Sequence, residues 1–321
     1  MQAAVTGANG FVGTHLIAQL LEKGANVRAM VRSSKSRNEL LSFVKEKVTP
    51  EILEHLEVFI GDVTNRLDLN SLFSEVDYVF HTAAIVSFNP RKKQKIHNIN
   101  VIGTRSVVNQ ILEFKNKNIR LIHFSSIAAI GDSVGDLPAN EDCWHKNLEN
   151  SSDYSKSKYF AELEVWRGIE EGLNAVIINP AVIIGHSSTN RSSSALIRQM
   201  ESGLPFVTGG STGFVHVDDV CKAAIMLAES HIQSERFILC AENLSYKELF
   251  NRVQKQNDKT RKPIVINKAF LLGIALLTEV FSFVFNLEPK LTRRMVHSSF
   301  SDSEWDGGKI DMKYISNLEN I

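Results

Sequence analysis

The segment TGANGFVG, residues 6–13, constrains the fold of this chain more than any other. It follows the apolar run QAAVT (2–6), which reads as a strand. It precedes a helical pattern over 11–23 in which Phe11, Val12, Leu16, Ile17 and Leu20 supply the apolar positions. Three glycines between a strand and a helix have a specific physical use. Gly7 permits the tight turn, Gly10 lets the backbone approach a pyrophosphate, and Gly13 allows close helix packing. The helix start then offers unpaired N–H groups and a partial positive charge to phosphates. The segment therefore predicts a dinucleotide-binding loop made by Gly7, Asn9, Gly10, Phe11, Val12 and Gly13.

The same alternation continues downstream. NVRAMV (26–31), LEVFIG (56–61), YVFHTA (78–83), IRLIHFS (119–125) and LNAVIIN (173–179) read as strands, with helical stretches between them. Strand–helix alternation implies an α/β fold, a doubly wound parallel sheet with helices on both faces. After Pro180 the pattern becomes irregular through 185–194 and 207–213, and helices at 218–230, 245–255 and 268–286 dominate. The expected organisation is a Rossmann-type domain over 1–180, rejoined by 214–240, with a smaller substrate lobe from 181–213 and 241–321. The chain starts directly on a strand pattern, so no signal peptide is expected.

Charge and cysteine usage exclude several classes. Lys plus Arg equals Asp plus Glu at 36 each, which gives no electrostatic reason to expect nucleic acid as a partner. Cys143, Cys221 and Cys240 are widely spaced, show no metal-ligand pattern, and suit a cytoplasmic protein with reduced thiols. No metal site is expected. The basic cluster Arg91, Lys92, Lys93 and Lys95 reads as a solvated loop and helix start.

The end of the second strand bears on cofactor choice. An acidic residue there would bond a ribose 2′-hydroxyl, but this chain has Val31 and Arg32, then Lys35 and Arg37. A guanidinium suits a 2′-phosphate, so NADP is favoured over NAD. Asp62, with Val63 beside it, follows the third strand. Asp62 is either a partner for the adenine amino group or a turn aspartate.

Of the five tyrosines, only Tyr154 has a lysine four residues on, Lys158. That spacing puts both on one helix face. A cation beside a phenol favours the phenolate, so a lowered Tyr154 pKa and proton transfer near neutral pH are expected. Ser125 and Ser126 end the 119–125 strand at a carboxyl edge, where open α/β sheets bind ligands. Either hydroxyl could hold a substrate oxygen.

TGANGFVG, SSIAAIG (125–131) and YSKSK (154–158), in this order, resemble the extended short-chain dehydrogenases/reductases, within the NAD-dependent epimerase/dehydratase superfamily. HTAA (81–84), NVIGT (100–104), NPAVIIG (179–185) and FVHVDDV (214–220) agree with that family's further signatures. The similarity spans roughly residues 2–230. It implies Ser126 rather than Ser125 as the catalytic hydroxyl, with Tyr154 as proton donor. It also implies that Lys158 tunes Tyr154 and binds the cofactor ribose. Ala83, Ala84 and Asn100 would line the cofactor, and Asn179-Pro180 would bring the chain against the nicotinamide. Helices matching 98–117 and 154–171 would pair two copies into a homodimer.

The family divides between nucleotide-sugar epimerases or dehydratases and reductases of ketones or alcohols. GGSTGFVHV (209–217) lacks the arginine that a nucleotide-sugar diphosphate would need. The sequence looks instead like the dihydroflavonol-4-reductase and hydroxysteroid-dehydrogenase branch. This implies an NADP-dependent oxidoreductase acting on an apolar small molecule. A nucleotide-sugar epimerase with tightly held NAD is the alternative, and a non-catalytic NADP sensor the second. Residues 269–287 carry one charge, Glu279, and read as a buried helix of the substrate lobe, the alternatives being a helix on a membrane surface or the wall of a lipophilic pocket.

Overall fold

A computed structural model describes residues 1–114, 118–131, 133, 137–149, 151–185, 194–257, 259, 261–285, 287, 289, 291–310 and 318. Its centre is a seven-stranded sheet in which every neighbouring pair is parallel. In chain order the first elements are β1 (Gln2–Thr6), α1 (Phe11–Glu22), β2 (Asn26–Val31), α2 (Ser34–Lys45), α3 (Pro50–Leu53), β3 (Leu56–Ile60), α4 (Arg66–Phe73) and β4 (Tyr78–His81). Then come α5 (Lys93–His97), α6 (Gly103–Glu113), β5 (Arg120–Phe124), α7 (Asp153–Glu170) and β6 (Ala175–Pro180). The predicted strands are all present, each within two residues of its predicted start and end. The fold is a Rossmann-like α/β sheet.

The sheet order is β10-β6-β5-β4-β1-β2-β3, where β10 is Glu235–Leu239. The chain therefore reverses direction between β1 and β4, and a crevice opens there at the carboxyl ends of the strands. Both sheet faces are buried. On one, Leu16, Leu20, Phe43, Val220 and Leu227 close over Val5, Ala29 and Ile178. On the other, Leu69, Phe73, Val107, Ile111 and Val165 cover Ala4, Val79 and Leu121. This double cover explains why the strands read as continuous apolar runs rather than alternating ones.

Beyond β6 lie β7 (Val182–Ile184), α8 (Ser194–Glu201), β8 (Phe206–Val207), β9 (Ser211–His216) and α9 (Val217–Glu229). After β10 come β11 (Glu242–Ser245), α10 (Tyr246–Gln256), β12 (Ile264–Val265), α11 (Lys268–Val284) and α12 (Arg293–Ser299). α9 returns to the main sheet against α1, while β11, β9 and β7 form a second, small sheet. A separate apolar cluster of Ile184, Ile197, Met200, Phe214, Leu249 and Phe250 lies beneath α8 and α10. The capping box of Ser245 and Glu248 starts α10 by satisfying two otherwise unpaired N–H groups. Residues 186–193 of the expected substrate lobe lie outside the described residues.

The apolar sequence of α11 predicts a buried helix, yet only its Ala275 and Ser282 are buried among residues whose side chains are described. Phe270, Ile274, Leu276, Leu277, Val280 and Phe281 face solvent. The helix lies over α12 on a narrow stripe of small and polar residues, so its apolar content is not what packs. No helix among the described residues is long and apolar enough to cross a membrane.

Candidate functional site

The first loop folds as its glycines require. Gly7 has φ +68°, and a Cβ there would lie 2.6 Å from the Cα of Ala83, because β4 passes directly beside the turn. A Cβ on Gly13 would come within 2.5 Å of the Gly7 carbonyl oxygen, so only glycine lets α1 sit this close to its own loop. The Thr82 hydroxyl ties the two strand ends together by donating to the Thr6 carbonyl at 2.7 Å. Gly10 caps α1 with no side-chain bond, so the first-turn N–H groups have no competing side-chain acceptor there.

A cleft of about 510 Å³ opens at this edge. Gly7, Asn9, Gly10, Phe11, Arg32, Val63, Ala83 and Ala84 line it, together with Thr82, Ile85 and Val86. Lys92 and Lys95 complete its rim, so the described lining carries three cations and no carboxylate. The charge run 91–95 predicts a solvated loop, but Lys92 and Lys95 are three residues apart, share a face and reach the cleft. A wider groove of about 890 Å³ between α1 and α9 passes His15, Lys23 and Asp218, away from the glycine loop.

Several expected cofactor residues lie elsewhere. Lys35 is exposed but not on the cleft, and Val12 packs into the core beneath α1. One oxygen of the Asp62 carboxylate accepts from the Thr64 N–H at 2.9 Å and from its hydroxyl at 2.8 Å, which holds the turn after β3. Asn100 is buried on a π-helical turn. It accepts from the Ile85 N–H at 2.7 Å and donates to the Ile85 carbonyl at 3.1 Å and the Ser157 hydroxyl at 2.9 Å. Its bonds are spent on holding the cleft wall against α7. Asn179 and Pro180 are buried too, and Asn179 donates to the Ser126 carbonyl at 3.0 Å and to the Glu162 carboxylate. Short polar side chains were legible in the sequence, but the direction each one faces depends on packing.

The catalytic candidates do come together. Ser126 caps a short 3₁₀ turn, Ile127–Ala129, its hydroxyl accepting from the Ala128 N–H at 3.1 Å. Ser152 caps α7, and the Ser155 hydroxyl donates to the Ala128 carbonyl at 2.6 Å, which docks the start of α7 on that turn. The dock brings the Tyr154 phenol close enough to Ser126 for that hydroxyl to influence its ionisation. Ser125, by contrast, has a buried hydroxyl with no partner among the described residues. Phe88 meets the Tyr154 ring edge-on at 6.3 Å. One turn on, Lys158 is buried and donates from Nζ to the Phe124 carbonyl at 2.7 Å, and Lys156 points away to the Glu149 carbonyl.

Burial decides the electrostatics. It lowers the Lys158 ammonium to about 8, against the opposing pull of the Glu162 carboxylate. It also pushes the Tyr154 phenol up, while the Ser126 hydroxyl pulls it down. The sequence predicted a lowered phenol; here Lys158 is turned to a carbonyl and desolvation of the phenolate wins. Behind Lys158, His81 bonds Thr6 and Thr104 through its two ring nitrogens, and burial holds it neutral at about 3. Glu162 forms a buried ion pair with Arg236 at 3.1 Å, the side chains only 1% and 3% exposed. Arg236 also donates to the carbonyls of Glu141 and Cys143, so this pair pins the loop before α7 to the sheet.

Residues 3–240 match the NAD dependent epimerase/dehydratase family. The chain belongs to that family. It is an NAD(P)-dependent oxidoreductase. Sterol demethylase protein B of Methylococcus capsulatus is 26% identical, over 87% of this chain and 81% of that protein. Anthocyanidin reductase of Arabidopsis thaliana is 29% identical, over 89% of this chain and 91% of that one. The crystal structure of gox2253 superposes with a TM-score of 0.76 at 29% identity, covering 96% and 90% of the two chains. A UDP-glucose 4-epimerase from Thermotoga maritima shares the fold, with a TM-score of 0.72 at 20% identity and coverage of 98% and 92%.

Proposed function

We propose that this protein is an NADP-dependent reductase of a ketone on a largely apolar small molecule, or the dehydrogenase of the matching alcohol. The observation that carries the proposal is the docking of the α7 start on the Ser126 turn, which sets Tyr154 beside Ser126 with buried Lys158 one helical turn on, at the carboxyl edge of the sheet. The glycine loop and the uncapped α1 N-terminus fit a dinucleotide pyrophosphate. Arg32 at the end of β2, with Lys92 and Lys95 across the cleft, favours the additional 2′-phosphate of NADP. When bound, the nicotinamide supplies or takes the hydride.

Ser126 and Tyr154 together form a donor pair for a carbonyl oxygen. A phenol kept protonated by burial is the form that donates, which suits reduction. As the oxygen gains charge, the Tyr154 O–H proton passes to it. To stabilise the phenolate left behind, the Lys158 ammonium, one helical turn on, would turn from the Phe124 carbonyl toward it. Ser126 keeps the oxygen in line. Phe88 beside Tyr154 makes that end of the site apolar. A nucleotide-sugar substrate finds less support, because the segment entering and forming β9, GGSTGFVHV, offers no arginine to a diphosphate. The reductase and dihydroflavonol-type relatives support the apolar reading.

The test is NADPH consumption with a panel of apolar ketones, steroid-like and flavonoid-like compounds included. Tyr154→Phe should lose at least about 100-fold in turnover, the scale of general acid catalysis, with NADPH affinity nearly unchanged. Ser126→Ala should lose turnover and Ser125→Ala far less. Full activity in Tyr154→Phe would end the catalytic assignment.

A further inference from the structure

A broad apolar surface on α11 belongs to none of the groups above. Phe270, Ile274, Leu277, Phe281 and, just past the helix, Phe285 recur every three or four residues and form one stripe. The stripe faces solvent, with Phe270 65% and Leu277 70% exposed. The flank that carries Ala275, Thr278, Glu279 and Ser282 does the packing. Thr278 donates to the Leu291 carbonyl at 2.6 Å, and Glu279 pairs with Arg293 at the start of α12. Just before the helix, the paired strands β8 and β12 expose Phe206, Ile264 and Val265 as well. A soluble monomer rarely leaves so much contiguous apolar surface without a use.

Charge says what covers it. Residues 255–294 hold eight Lys or Arg against three Asp or Glu, a net +5 in a chain whose total is zero. Lys255, Lys259, Arg261, Lys262 and Lys268 lead into the helix and are all exposed. A second copy seated face to face would set +5 against +5, which opposes association. We propose that this face docks on an anionic lipid surface. α11 lies in the plane of the headgroups, its Phe and Leu stripe in the acyl boundary and its basic residues among the phosphates. At 17 residues the helix rests on the bilayer rather than spanning it.

α11 touches the segment that forms one rim of the cleft. The Arg91 guanidinium donates to the Ser282 carbonyl of α11, in the same segment as Phe88 and Lys92. An apolar substrate dissolved in the membrane would therefore meet the cleft rim directly; that step rests on the reductase reading, and the docking does not.

The experiment is sedimentation of the full chain with sucrose-loaded vesicles, without substrate. One set is phosphatidylcholine alone, the other phosphatidylcholine with a minority of phosphatidylglycerol. Binding to the anionic vesicles should be at least about tenfold stronger than to the neutral ones and should weaken as salt rises. Leu277→Ser with Phe281→Ser should lower it by about tenfold or more. Both side chains are exposed, so circular dichroism and NADPH affinity should match the parent. Absence of binding to either vesicle, or binding untouched by the double substitution, would overturn the proposal. So would a parent dimer that the double variant turns to monomer, because a second copy would then be the occupant. Absence of ketone reduction would sink the proposed reaction and leave the vesicle result standing.

Discussion

Replacing Lys158 with methionine should change how stability depends on pH, and the size of the change follows from the burial of the ammonium. The folded lysine releases its proton at about 8 instead of 10.5. At about 1.4 kcal/mol per pH unit, holding the charged form buried at pH 7 costs about 3 kcal/mol. Between about 8 and 10.5 the unfolded chain keeps a proton that the folded chain has lost. Unfolding then takes up a proton, so rising pH favours the folded state. Met at this site retains an apolar stem and has no such penalty to relieve. Integrating between pH 7 and 9.5, the parent should gain about 2 kcal/mol relative to Lys158→Met. Loss of the bond to Phe124 shifts the variant's curve by a nearly constant amount and leaves the difference in slope intact. Tyr154, Cys221 and Cys240, whose buried groups are raised, work in the opposite direction at high pH. They are common to both proteins and largely cancel. Urea unfolding followed by tryptophan fluorescence at half-unit pH steps would measure the difference. Stability curves that run parallel across this range would refute the claim that Lys158 is held charged against burial.

Arg236→Met should destabilise by about 3–5 kcal/mol in urea unfolding, because it strands the Glu162 carboxylate in the interior. Adding Glu162→Gln should recover much of that, and a loss under about 1 kcal/mol in the single variant would show the pair is not what pins the loop. For the cofactor, calorimetric titration should find NADPH bound more tightly than NADH and the order reversed in Arg32→Asp. Equal affinities in the parent would remove the NADP assignment. For assembly, Phe160 and Leu163 on α7 are exposed, whereas Val107, Val108 and Val165 are consumed by the core. Sedimentation at micromolar protein should show a homodimer that Phe160→Glu dissociates, and a monomeric parent would refute the pairing.

Much of the architecture was legible because its signals are local. The runs 2–6, 26–31, 78–83 and 119–125 are apolar enough to demand burial on both faces, and only a parallel sheet under helices supplies that. Gly7 and Gly13 announced the loop because backbone sterics allow nothing else there. Tyr154 and Lys158 were legible because a helix fixes residues four apart on one side. What the spacing could not supply was environment. The sequence sets a cation beside a phenol, but the competition between attraction and desolvation depends on buried surface from β5, which the local pattern does not contain.

Orientation was likewise settled by packing. Asn100 and Asn179 look like ligand-binding residues by position, yet one clamps Ile85 and the other holds the Ser126 backbone. Lys92 and Lys95 look like a solvated charge run, yet the loop after β4 folds them onto the cleft rim. Arg236 and Glu162 stand 74 residues apart, and only the β10–β6 pairing under α7 makes them an ion pair. In α11 the apolar content alone suggested burial, while the structure packs the helix by its small and polar stripe and leaves the aromatic side open. The sequence by itself determined the strand–loop–helix unit and set Tyr154 and Lys158 on one helix face, because each follows from backbone geometry within a few residues. The tertiary structure alone decided which polar groups face the cleft, how burial sets their protonation, and which apolar surface remains uncovered, because those depend on neighbours distant in the chain.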